Sequence, residues 1–357
     1  MKPQQGNLMP DQQVSQFLKQ EPKLFDFEQA VADARRDFPK ETQDITFIDT
    51  SAPDAQEKLL EWAKMAKMTP TQFEKMMENA EGMNAVAKNV NGFKLIAMPS
   101  QREGANESFP GDAFKSAYFC FQHELGHFVV PQGHASESNK STEYREHAAD
   151  TFAMMRGLKE GVFQKTDILD LSNRRGHGML LTEDVTHLTS MSLDALVINP
   201  KNIDFLSLSK DDIVKIAQQH AKTFEMDDKT NSRFVTMQMN GRRAYQAGAN
   251  DEEVMLGKLR DLQEIAMSSP RDSQEFYIAA RILNNALETG VIKSGGMEQK
   301  IDVNTEEWQQ AKKALMEKAG DRDIGAQKAS QSVSLTRPEK PKNFVSKIAD
   351  SFKPIKI

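Results

Sequence analysis

"FQHELGHFVV", residues 121–130, sets two histidines four positions apart with a glutamate directly after the first. From Asp112 to Val129 the residues Phe114, Ala117, Tyr118, Phe121, Leu125 and Phe128 recur at intervals of three and four, which predicts a helix anchored by one apolar stripe. Cys120, His123, Glu124 and His127 fall on a different face, directed away from that anchor. On such a helix the two imidazoles stand one turn apart, near enough to hold one ion at roughly 2.0–2.1 Å per nitrogen, and donors of this kind suit zinc. Glu124 is turned about 100° around the axis from His123, so its carboxylate comes beside a metal-held water without taking a coordination position. Gly126 costs roughly 1 kcal/mol of helix propensity between the two histidines, which points to a close approach by another element there.

A metal site with an open vertex needs a third ligand. Downstream, "STEYREHAADTFAMMRGL" (141–158) reads as a second helix, with Ser141 or Thr142 as its N-cap and Glu143 in its first turn. Its Glu146 and Asp150 are four apart and share a face. Glu146 is placed to reach the ion, and Asp150 to accept the outer N–H of a ligand histidine and fix its tautomer. His147, with Glu143 one turn before it, is the alternative third ligand. His134 does not complete a longer HExxHxxGxxH pattern, because Val130 stands where that pattern needs glycine and the histidine comes one place late.

HExxH followed some eighteen residues later by ExxxD resembles the gluzincin zinc metallopeptidases, the thermolysin-like group, over about residues 90–160. The resemblance implies an α+β, zincin-like catalytic lobe built of a small sheet, the HExxH helix and a glutamate helix. It implies Zn2+ as cofactor, with His123, His127 and Glu146 as ligands, Glu124 as general base and Asp150 behind a ligand histidine. The expected activity is that of a metalloendopeptidase hydrolysing peptide bonds of a protein or peptide substrate with a metal-activated water. Enzymes of this group add a donor for the developing oxyanion from beyond the third ligand. His177, in the polar "SNRRGHGM", and His187, in "TEDVTHLTSMSLDAL", are the candidates here. A regulatory or interaction protein built on the same scaffold, with little turnover, is the alternative function.

Composition sets the frame around the motif. The chain has 357 residues, 38% hydrophobic and 27% charged, which is globular material with length enough for two lobes. A net charge of −6 argues against a broad basic surface for nucleic acid. No apolar run approaches the roughly 18–20 residues that span a bilayer. "MKPQQGNLMPDQQ" offers no apolar signal region and Cys120 is the sole cysteine, so a cytoplasmic protein is expected.

Periodicity divides the chain into an N-terminal helical segment (1–42), the catalytic domain (43–160), a helical domain (161–319) and a basic tail from 320. Within the catalytic domain, "ITFID" (45–49) reads as a strand and helices follow near 54–67 and 70–80. Val86 to Met98 reads as a hairpin turning at Asn91-Gly92. The resemblance implies a strand edge against which an extended substrate pairs, and residues 93–98 are the candidate for it. Beyond 160 no strand is expected, and helices recur at about 182–196, 209–224, 250–266, 274–288 and 305–318. In the tail, Phe344, Ile348 and Phe352 with nearby lysines outline a short basic amphipathic segment suited to a partner or a membrane surface.

Overall fold

The computed structural model describes residues 24–82, 85–100, 108–131, 139–182, 184–198, 203–294 and 296–320, with the backbone alone at 77–82 and 139–141. His134 and the tail beyond Gly320 lie outside these residues. The architecture is mixed α+β and mostly helical.

A three-stranded sheet carries the first half. Strand β1 (Ile45–Asp49) runs parallel to β3 (Phe93–Met98), and β2 (Val86–Val90) runs antiparallel to β3 on its other side. The two-residue turn between β2 and β3 is made by Asn91 and Gly92, both at positive φ, the conformation a tight right-twisted hairpin requires. The order β1-β3-β2 puts β3 in the centre, so residues 93–98 are an internal strand and the substrate-edge expectation is corrected. Among the described residues, the strand with a free side next to the histidine helix is β2.

Alternation along the strands gives the sheet two apolar faces. Ile45, Phe47, Ile96 and Met98 face the helix α5 (Ala113–Val129), where Phe47 stacks on Phe121 with ring centroids 6.0 Å apart. Ile48, Leu95, Ala97 and Val86 face α3 (Ala55–Met65) and α4 (Pro70–Gly82), closing a smaller core around the fully buried Trp62. Helix α1 (Phe27–Asp37), begun by an Asp26 cap and followed by the short α2 (Pro39–Thr42), packs Phe27 edge-on against Phe121. Residues 24–42 of the N-terminal segment therefore pack into the core under α5.

Asp112 caps α5 by accepting from the Lys115 N–H. The helix is buried on every side from Ser116 to Gly126, so the apolar stripe is not its only inward face. The reason is α6 (Asn139–Lys159), which crosses so closely that a Cβ on Gly126 would sit 2.9 Å from the Cα of Ala149. α6 also begins earlier than the Ser141 or Thr142 cap predicted from sequence.

Residue 160 is not where the core divides. The cluster around α5 and α6 takes in Ile168 and Leu171 of α7 (Lys165–Leu181), Leu193 and Leu196 of α8 (Ser190–Ile198), and Ile213, Ala217 and Ala221 of α9 (Lys210–Phe224). A second core joins the end of α7 to α10 (Asp228–Gln246), α11 (Asp251–Ser268), α12 (Gln274–Thr289) and α13 (Glu306–Ala319). A hairpin of β4 (Val291–Ser294) and β5 (Met297–Lys300), unexpected from so polar a sequence, packs beside α7. No helix among the described residues is long and apolar enough to cross a membrane.

Candidate metal centre

Helix α5 presents His123 and His127 one turn apart, their Nε2 atoms 3.2 Å from each other. Helix α6, brought in by the Gly126–Ala149 contact, delivers Glu146 between them. Its Oε2 lies 3.2 Å from His123 Nε2 and its Oε1 3.7 Å from His127 Nε2. His187, on the turn that leads into α8, places its Nε2 3.1 Å from the same Oε2. His123, Glu146 and His187 form a group that could hold a metal ion.

Two of the three rings are fixed from behind. Nδ1 of His123 lies 2.8 Å from Oδ1 of the fully buried Asp150, so its N–H donates there and the ring is turned with Nε2 toward the centre. Nδ1 of His187 is held in the same way by Asp184. Two imidazole Nε2 atoms and a carboxylate therefore point into one small volume. Oε2 of Glu146, although buried, finds no partner of hydrogen-bond geometry. A tetrahedral ion with ligands at roughly 2.0–2.1 Å separates them by about 3.3–3.4 Å, and the spacings found here straddle that length. The group could thus hold a metal ion.

Asp150 is itself locked. Arg175 of α7 forks onto it with bonds of 2.8 and 2.7 Å, and the hydroxyl of Thr189 donates at 2.5 Å. Burial would raise this carboxyl, but Arg175 and His123 outweigh it and hold it far below the usual range. Burial likewise opposes charge on His123, yet contact with Asp150 and Glu146 raises its ring well above an ordinary histidine. His127 lacks such support, and burial takes it down to about 4. Burial opposes ionisation of Glu146, while His187 and His123 beside it hold it well below the normal carboxylate value.

Glu124 stands next to this group in the direction of the sheet. Burial raises its carboxyl, and the Ala87 N–H of β2 donates to it. The register explains that bond. Val90 faces Phe93 across the two-residue turn, so Val90, Lys88 and Val86 exchange ladder bonds with β3, while Ala87 and Asn89 turn their N–H and C=O groups to the free edge. The edge of β2 consequently runs past the glutamate.

The remaining candidates are placed elsewhere. His147 lies on the far side of α6, where its Nδ1 is 2.9 Å from the Ser192 hydroxyl and its Nε2 3.5 Å from Glu143, and it does not face Glu146's partners. His177 is not on a loop. It lies inside α7, buried, accepting from the Lys293 N–H of β4 at Nδ1, away from the metal group. The two glycines that suggested a loop are packing contacts, since a Cβ on Gly176 would sit 2.9 Å from Ile282 and one on Gly178 3.1 Å from Ser294. Of the two oxyanion candidates the structure brings only His187 to the site. Arg175, Asp184 and Thr189 were missed from the sequence; an aspartate three residues before a histidine was the one signal available. Compared with known proteins, the chain matches no family model, no curated protein and no solved structure.

Proposed function

We propose that this protein is a zinc-dependent metallopeptidase of the gluzincin type, with His123, His127 and Glu146 as ligands. The observation that carries the reading is the convergence of Nε2 of His123, Nε2 of His127 and the Glu146 carboxylate at 3.2–3.7 Å. Zinc held there supplies the Lewis acidity that activates water and polarises a carbonyl at neutral pH.

The chain's own groups do the rest. Glu124, desolvated and steadied by the Ala87 N–H, takes a proton from water and returns it to the departing amine. His187, raised to about 9 against its burial by Glu146 and Asp184, carries an N–H toward charge that develops on the substrate oxygen. The outward C=O of Ala87 and both backbone groups of Asn89 offer strand pairing to an extended peptide, which aligns a backbone with Glu124 without reading its sequence.

The nearness of His187 Nε2 to Glu146 supports a second reading, in which His187 is a fourth ligand and the metal is structural. Zinc content and peptide hydrolysis separate the two. The first reading expects Glu124→Gln to keep stoichiometric zinc and lose cleavage, and His187→Ala to keep zinc. Loss of zinc from His187→Ala together with an inert wild type would select the structural site.

A further inference from the structure

Lys94 is the one polar residue of β3, whose sequence is FKLIAM. It shares a face with Ile96 and Met98, toward α5, and is half-buried there. Its ammonium lies over the ring of Phe128, 5.9 Å from the centroid. Phe128 follows Glu124 by one helical turn, so ring and carboxylate line the same side of α5. Lys94 makes no ion pair with any described residue, whereas Arg175, the other cation near the centre, is committed to Asp150. Across the hairpin the register partner of Lys94 is Asn89, one of the two residues whose backbone faces the free edge of β2. A half-buried cation resting on an aromatic face, beside an edge that invites a strand, is set up to meet an anion on that strand.

The direction of the strand fixes where that anion sits. Antiparallel pairing is the more stable mode, and a peptide so paired runs opposite to β2. The residue alongside Asn89 then precedes the one alongside Ala87, and the bond at Glu124 lies near Ala87. Two strand positions are roughly 6.6 Å apart.

We propose that Lys94 selects substrates with an aspartate or glutamate about two residues before the cleaved bond. This deepens the peptidase reading and rests on it for the word cleaved, but not for the binding preference. The test uses the full chain loaded with zinc and three otherwise identical peptides bearing Glu, Gln or Lys at that position. Binding is read on the Glu124→Gln protein and cleavage on the wild type. About a fivefold preference for Glu over Gln is expected. It should be lost in Lys94→Met and reversed toward the Lys peptide in Lys94→Glu. An unchanged ranking in Lys94→Glu, or no binding of any of the three peptides, overturns the inference. Cleavage without charge preference also overturns it and leaves the peptidase reading intact, while charge-dependent binding without cleavage by the wild type supports it and removes the peptidase reading instead.

Discussion

His123 and Asp150 are joined through Nδ1 and Oδ1 at 2.8 Å, and the same carboxylate is clasped by Arg175 through both of its oxygens. The aspartate, on α6, therefore ties α7 to the imidazole on α5. Asp150→Asn keeps the shape but removes the charge that orients the ring and balances the guanidinium. Zinc affinity is expected to fall by about 10–100-fold, and stability by roughly 3 kcal/mol because Arg175 is left without its counter-charge. Competition with a chelator and urea unfolding measure the two effects; an unaltered zinc affinity would contradict the role given to Asp150.

Glu146 and His147 are adjacent in sequence and face different surroundings, one toward His123 and the other toward Ser192. Glu146→Ala should abolish zinc binding, whereas His147→Ala should keep it. With free zinc at a thousand times Kd the wild type should gain about 4 kcal/mol of stability, and Glu146→Ala none. Zinc lost from His147→Ala and kept by Glu146→Ala would reverse the assignment.

Gly126 reports on the contact that brings the two ligand helices together. Gly126→Ala gains about 1 kcal/mol in helix propensity, yet its methyl would lie 2.9 Å from backbone on α6. Backbone cannot swing aside as a flexible side chain can, so a net destabilisation of about 1–2 kcal/mol is expected. Denaturant unfolding gives the sign directly, and a stabilised variant would show that α6 can retreat.

His177 provides a pH signature of the second half. Burial, helped by Arg281, pushes its ring down to about 4, below the value near 6.5 of an unfolded chain. Between those values the unfolded chain takes up a proton that the folded one refuses, so stability is complete above about pH 6.5 and declines as pH falls toward 4. The contribution amounts to about 3 kcal/mol. His177→Gln removes the titrating group while leaving an acceptor for the Lys293 N–H. Subtracting its unfolding profile from that of the wild type should isolate this slope, and a flat difference would refute it.

The sequence by itself determined the parts that depend on neighbours along the chain. The apolar spacing around Phe121 and the Asp112 cap define α5, Pro70 opens α4, and Asn91-Gly92 sets the β2–β3 turn. The spacing of His123, His127, Glu146 and Asp150 lays the four groups on two helical faces, because helical periodicity alone puts residues four apart together.

Only the tertiary structure decided which faces meet. His187 and Arg175 come to the site from 41 and 29 positions beyond Glu146, and no local rule relates them to it. Glycines 176 and 178 signal a break when read locally, but they are demanded by Ile282 and Ser294, which arrive from far along the chain. The sheet order, which makes β2 and not β3 the free edge beside Glu124, follows from β1 pairing in parallel with β3. Backbone hydrogen bonds and propensity act over a few residues, while side-chain packing at interior density selects among the ways of assembling the resulting elements. The candidate site is built at that second level, where α5, α6, α7 and the His187 turn come together.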